Sequence, residues 1–387
     1  MTISTQQKLG SVEGIRGVAC LMVFLSHLSS TFAPSMHTGN IANARTPIDI
    51  IMHSSPFAFL YSGAAAVGIF FVLSGFILSY CILNKGDAVT NAAGMTIKRY
   101  FRLMPPALGS CIIAYFALKH FTFDKSALGD WAQNYNISNP SFLDAIYNGT
   151  ISSFLSGSAP YNWSLWTMKI EFFGSLSVFF LCCIIPKVKY KKTLIVIFMV
   201  MPFFMNVKSG DEIYYAAFFS GVLIYMLDIN FPNKLGVILF AIGLFFCGYH
   251  TNGYLYKSFN SLININIYNK HIDNYTLFNN IGGFIVVFSV LRTKIISKIF
   301  SRDLFVKLGA LSFLVYVLHQ PIMHITSTVL FNFTRDNGLS YSMSALLSSI
   351  TTMVIVYLVS IPYQKYVDSI SVKISNLIKT KMMIKQI

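Results

Sequence analysis

The chain has 387 residues, of which 55% are hydrophobic and only 11% charged, and its mean hydropathy is +0.60. That balance excludes a soluble globular protein of this length and points to a polytopic membrane protein. The net charge of +15 does not indicate a nucleic-acid partner, because the lysines and arginines lie in short clusters between apolar runs and form no separate basic domain.

Ten apolar stretches read as membrane spans: 12–32, 57–83, 104–121, 164–186, 193–206, 212–228, 235–250, 276–292, 306–331 and 342–362. The fold class expected is therefore all-α, a membrane helix bundle of about ten transmembrane helices in a single domain over 1–387. The loops set the orientation. Lys85, Lys98, Arg99 and Arg102 follow the second span, and Lys187, Lys189, Lys191 and Lys192 the fourth. Arg292, Lys294, Lys298, Arg302 and Lys307 follow the eighth, and Lys373, Lys379, Lys381 and Lys385 form the tail. The alternate loops carry few cations, so both termini are expected in the cytoplasm. The longest outer loop, 122–163, reads either as a solvated connector or as a lid or platform for an acceptor. The six cysteines lie within or at the ends of apolar runs without metal-ligand spacing, so they read as small apolar residues and no metal is expected. Lys8 is the only cation before the first span and no small-residue cleavage pattern follows, so that span is expected to be retained.

The first span, SVEGIRGVACLMVFLSHLSS, is apolar enough to cross a bilayer yet holds Glu13, Arg16 and His27. Eleven residues separate Arg16 from His27, which is three helical turns plus roughly 20°, so the two share a face about 16 Å apart along the axis. Ionisable groups on a membrane helix usually face a bundle interior or a wet cavity. A snorkelling arginine and a helix-end histidine are the plain alternative.

Four further stretches depart from plain lipid-facing helices. In GIFFVLSGFILSY, Ser74 and Gly75 allow close approach of a ligand or of a neighbouring helix. In KRYFRLMPP, three cations precede Pro105 and Pro106, a pair suited to opening a helix; arginines at a helix start suit phosphate, or serve as a topology signal. In NWSLWTMKIEFF, Glu171 lies at a depth similar to His27, where a carboxylate would raise the imidazole's basicity and fix its tautomer. Trp163 and Trp166 there fit an interfacial aromatic belt. In LSFLVYVLHQPIMH, Tyr316 and His319 are three residues apart on one face, and Pro321 frees a backbone carbonyl one turn back.

Taken in order, VEGIRGVACLMVFLSH, FFVLSGFIL, KRYFRLMPP, LWTMKIEFF and SFLVYVLHQP make the chain resemble acyltransferase family 3, the integral-membrane acyltransferases that often O-acetylate bacterial surface polysaccharides. The departures are mild: Glu13 stands where an aspartate is commoner, Met104 where an aromatic is, Thr167 where a serine is and Phe313 where a tyrosine is. The resemblance implies transfer of an acyl group, usually acetyl, from cytoplasmic acetyl-CoA to a hydroxyl of a carbohydrate acceptor, free or lipid-linked, such as O-antigen or exopolysaccharide. It places the protein in the bacterial plasma (inner) membrane with membrane lipid around it. On that footing His27 is the candidate base or transient acyl carrier, Glu171 its orienting carboxylate, and Arg16 the group for a CoA phosphate or the thioester carbonyl. Arg99 and Arg102 are candidates for the CoA phosphates, with Ser74 assigned to the same donor site. Tyr316 and His319 line the acceptor cavity or donate to the developing oxyanion, and Trp166 is assigned to the acceptor. A secondary transporter or flippase is the rival class, since ten spans with intramembrane ions and proline-broken helices also describe one. A structural anchor ranks below both, because it has no use for Arg16, His27 and Glu171 within the bilayer.

The orientation is directly checkable. A cytoplasm-active reporter fused after Gln386 is expected to be active, and one inserted within 122–163 inactive. The opposite pattern reverses the assignment of both termini.

Overall fold

A computed structural model describes residues 3–84, 86–262, 265–267 and 270–383. Lys85, Lys385 and Gln386, which bear on the orientation, lie outside the described residues. The described residues are 80% helical. Among the described residues, eleven helices carry the architecture: α1 (Thr5–Phe32), α2 (Gly63–Leu83), α3 (Ala88–His120), α4 (Thr167–Ile184), α5 (Lys191–Val200), α6 (Asp211–Met226), α7 (Asn233–Cys247), α8 (Asn274–Arg292), α9 (Ser312–Asp336), α10 (Tyr341–Tyr363) and α11 (Ser369–Met382). Every expected span overlaps one of α1–α10, and among the described residues the strands are one short antiparallel pair, Asn266–Ile267 with Lys270–His271.

Among the described residues, seven helices are long and apolar enough to cross a membrane: Thr5–Phe32, Gly63–Leu83, Ala88–His120, Trp163–Lys187, Asn274–Arg292, Ser312–Asp336 and Tyr341–Met382. The segments expected as the fifth, sixth and seventh spans form shorter helices of 10, 16 and 15 residues. One boundary differs in an instructive way. Pro105 and Pro106 do not open α3 but sit inside it, because the helix starts at Ala88 and carries Lys98, Arg99 and Arg102 on its first half. A proline cannot donate to the carbonyl four residues back, and the carbonyl of Pro106 itself takes the Tyr363 hydroxyl at 2.8 Å.

The described helices form two compact units, with boundaries inside α1, α3 and α4. The first comprises residues 1–26, 52–96 and 173–312. In it α2 packs on α6 and α8, and α7 on α8. The α2–α6 contact is backbone against backbone: a Cβ on Gly75 would strike the Phe218 carbonyl, and one on Gly221 the Val72 carbonyl. The open backbone beside Ser74 thus serves a neighbouring helix. The glycines of VEGIRGV act alike. Gly14 lies against the Phe300 carbonyl, and Gly17 against helix Asp303–Ala310, where a Cβ would come within 2.6 Å of the Gly309 nitrogen. Ser62 Oγ donates to Asn279 Oδ1 across this unit at 2.5 Å.

The second unit comprises residues 27–51, 97–172 and 313–387. It holds the end of α1, most of α3, the loop 122–163, the start of α4, and α9–α11. Here Gly109 lets α3 receive the Tyr363 ring, and Ser344, Ser348, Thr352 and Ser360 give α10 a buried face of small polar residues at every fourth position or its multiple.

Close backbone approach at Gly17 and Gly309 makes a packing prediction. Gly17→Val is expected to cost at least the usual 1–3 kcal/mol of overpacking, roughly, since backbone rather than a flexible side chain stands in the way. It should appear as loss of monodisperse protein in detergent, and Gly17→Ala should be intermediate.

Candidate active site

Pro321 organises the polar cluster of the second unit. Its missing N–H leaves the Val317 carbonyl without its helical donor, and Asn162 Nδ2 donates to that carbonyl at 2.7 Å. Asn162 is fully buried. Its Oδ1 accepts from the Ser164 N–H at 3.2 Å, which starts the 3₁₀ turn Trp163–Trp166 ahead of α4. Ser164 is thereby set beside α9: its N–H donates to Gln320 Oε1 at 3.0 Å and its Oγ lies 3.3 Å from His319 Nε2.

The histidine tautomers are set by what each partner is able to do. His319 Nδ1 lies 2.6 Å from the Tyr316 carbonyl. A carbonyl only accepts, so Nδ1 carries the proton and Nε2 of neutral His319 is an acceptor. His27 Nδ1 lies 2.7 Å from that Nε2, so His27 donates from Nδ1 and holds its lone pair on Nε2. The two rings have centroids 4.9 Å apart and are only 17° from parallel, which with the 2.7 Å contact fits an edge-to-edge hydrogen bond between nearly coplanar imidazoles. Thr31 Oγ1 donates to the His27 carbonyl at 2.8 Å and so ties down the last turn of α1.

The loop 122–163 is docked on this cluster. Trp131, on the short helix Asp130–Asn134, lies over a face of His27 at 4.6 Å and 21°. Trp163 meets the Trp131 ring edge-on at 5.8 Å, and Tyr135 meets Trp163 at 5.4 Å. The docking is specific. Gly129 N–H donates to the Thr31 carbonyl at 2.7 Å, and a Cβ at Gly129 would run into the Ser30 carbonyl. Tyr135 is buried with its hydroxyl on the Tyr161 carbonyl at 2.5 Å, and burial pushes that phenol above its ordinary range. Lys125 Nζ donates to the Tyr135 carbonyl at 2.7 Å, and burial brings its ammonium down to about 8. Asp124, fully exposed, is held below the usual carboxylate range by the Ser126 N–H.

The structure brings together only part of the expected set. His27 and His319 meet directly. Glu171 is not the partner of His27: it is ion-paired with Arg99, and both side chains are largely buried. The reason is chemical, since a guanidinium satisfies a carboxylate in low dielectric better than a neutral imidazole does. Tyr316 holds its hydroxyl 2.9 Å from the Ser164 carbonyl and 3.0 Å from Thr167 Oγ1. Arg102 binds Asp368 through both terminal nitrogens and Ser371 Oγ at 2.9 Å. Trp166 is half-buried at the end of the 3₁₀ turn. Arg16 and Ser74 belong to the first unit, where Arg16 pairs with Glu13 at 2.7 Å, three residues earlier on α1. Sequence reasoning placed Trp131 only within the outer loop and gave Asn162, Ser164 and Gln320 no part in the site. The one available signal was Pro321, which announces an unpaired carbonyl without saying what fills it.

A family model described as an acyltransferase domain matches residues 9–361, nearly the whole chain and all of the cluster just described. The chain belongs to acyltransferase family 3. No curated protein and no solved structure matches it. This membrane acyltransferase carries the histidine cluster inside the matched region, together with the arginines of α3.

The bidentate Arg102–Asp368 pair predicts a reciprocal effect. Arg102→Ala and Asp368→Ala are each expected to destabilise the detergent-solubilised acyltransferase by about 1 kcal/mol, given the partial exposure of the arginine, read as a lowered thermal midpoint. The double charge reversal should recover part of the loss. A lowered midpoint in Arg102→Ala alone would separate the arginine from Asp368.

Proposed function

We propose that this acyltransferase moves an acetyl group from acetyl-CoA to a hydroxyl of a cell-surface carbohydrate, with His27 as the general base. The observation that carries this reading is the oriented relay from the Tyr316 carbonyl through His319 to His27, which leaves the His27 lone pair on Nε2. A sugar hydroxyl is a weak nucleophile at neutral pH and needs a base within hydrogen-bond range. In the proposed step Nε2 takes the hydroxyl proton as the oxygen attacks the thioester carbonyl carbon. Collapse of the tetrahedral intermediate breaks the C–S bond, and the CoA sulfur leaves with the proton returned by His27. His319 accepts the Nδ1 hydrogen bond throughout, so the imidazole keeps its orientation whether or not it is charged.

The family supports acyl transfer, and the aromatic residues beside His27 suit a carbohydrate acceptor, either soluble or lipid-linked. For the donor, Arg99 and Arg102 are proposed to meet the CoA phosphates. A guanidinium has five N–H donors, so an arginine already bound to a carboxylate retains some for an anion. Arg16 is proposed for the thioester or a CoA phosphate. The bacterial inner membrane, with both termini in the cytoplasm, is the setting that gives the donor access to cytoplasmic acetyl-CoA. Surface polysaccharide such as O-antigen or exopolysaccharide is the acceptor class proposed.

His27→Ala tests the base. It is expected to insert normally and to lose about two to four orders of magnitude in transfer of labelled acetyl from acetyl-CoA. His319→Phe should lose rate for want of the acceptor on its imidazole, whereas Glu171→Gln should lower the yield of folded protein more than the rate per molecule. Wild-type specific activity in His27→Ala, on quantified membrane protein, would remove His27 from the mechanism.

A further inference from the structure

When His27 takes a proton it becomes a cation, and its surroundings offer little to balance the charge. Its Nδ1 partner is His319, a neutral ring whose own Nδ1 is bound to a backbone carbonyl. Among the described residues no carboxylate hydrogen-bonds His27, and Glu171 is engaged with Arg99. What does lie against the imidazole is the indole of Trp131, 4.6 Å away and 21° from parallel. The face of an aromatic ring is its negative region, and indole binds cations best among the aromatic side chains.

We propose that Trp131 stabilises the His27 imidazolium through its π face, and is thereby a rate-determining positioning residue of the acyltransferase. The inference rests on the reading of His27 as the base. The interaction is selective for the step that needs it: a neutral imidazole gains only stacking from the indole, while the protonated ring gains the attraction of a cation for the π system. Stabilisation that arises only as charge develops lowers the barrier without tightening substrate binding. It serves where a carboxylate does not, since a carboxylate beside a neutral histidine at the membrane carries a desolvation cost in the resting enzyme.

The fold holds Trp131 in place for this role. Gly129 is anchored to the Thr31 carbonyl, and Thr31 in turn is bonded to the His27 carbonyl. Indole and imidazole are therefore tied to the same turn of α1. Trp163, edge-on to Trp131 at 5.8 Å, supports the indole from the side without lying against His27. The long outer loop thus contributes a fixed part of the base, beyond covering it.

The experiment is a set of substitutions read by kinetics. Trp131→Leu is expected to lower kcat about fivefold to thirtyfold, and Trp131→Phe by less, with KM for the acceptor within about twofold of wild type. The decisive variants are tryptophans carrying one, two or three ring fluorines, introduced at position 131 by nonsense suppression. They keep the shape of indole and progressively weaken its π face, so log kcat should fall stepwise with fluorine number. Because fluorination barely alters packing, the series decides even if Trp131→Leu fails to fold. A flat series at 131 overturns the proposal, as does a trend confined to KM for the acceptor, which would make the indole a platform for sugar. If His27→Ala retains wild-type activity, the base itself is wrong; a flat fluorine series with an inactive His27→Ala overturns the role of Trp131 alone.

Discussion

The hydrogen bond from His27 Nδ1 to His319 Nε2 is the interaction on which the candidate site depends. An imidazole in a membrane helix has no water to choose its tautomer, so a protein group has to. Here the choice begins at a backbone atom. The Tyr316 carbonyl is a permanent acceptor, and it fixes His319, which fixes His27. The scheme needs no ionised partner. The second unit's carboxylates Glu171 and Asp368 are ion-paired with Arg99 and Arg102. Charge is balanced locally in each pair.

A proline holds the arrangement together. Pro321 follows His319 by two residues and removes one helical hydrogen bond from α9. The carbonyl it releases is taken by Asn162, whose other amide atom starts the turn that carries Ser164 to His319 and Gln320. In an aqueous protein water would satisfy that carbonyl and the proline would be a kink. In a bilayer the vacancy has to be filled from the protein, and filling it brings the segment ahead of α4 onto α9. The Tyr316 and Thr167 hydroxyls at the Ser164 carbonyl extend the same network. Most polar side chains of the cluster are thus occupied with architecture, and few are left over for chemistry.

Glycine does for the first unit what hydrogen bonding does for the second. Helices in lipid gain little from hiding apolar surface from one another, so they associate where their backbones come close. Gly75 with Phe218, Gly221 with Val72, and Gly14 and Gly17 with the segment Phe300–Gly309 are contacts of that kind. The glycine of VLSGF, which in the sequence suits a ligand or a neighbouring helix, serves this packing, as do the glycines of VEGIRGV.

The sequence by itself determined that the chain is a membrane helix protein, roughly where its apolar helices lie, which family it belongs to and that His27 is a residue to explain. Those features are local or periodic: an apolar run of fixed length, a cation cluster, an ionisable side chain in a stretch that has to meet lipid. The tertiary structure alone decided the partners. Glu171 and Arg99 are 72 residues apart, and His27 and His319 are 292 apart; nothing in the periodicity of either helix says which pair forms. Depth along the bilayer brings Glu171 level with His27, but depth is one coordinate of three, and the competing claim of a guanidinium settles where a buried carboxylate goes. Trp131 was hidden for a related reason. In a loop without apolar periodicity a tryptophan carries no address, and its place over His27 is fixed only by Gly129 meeting the end of α1.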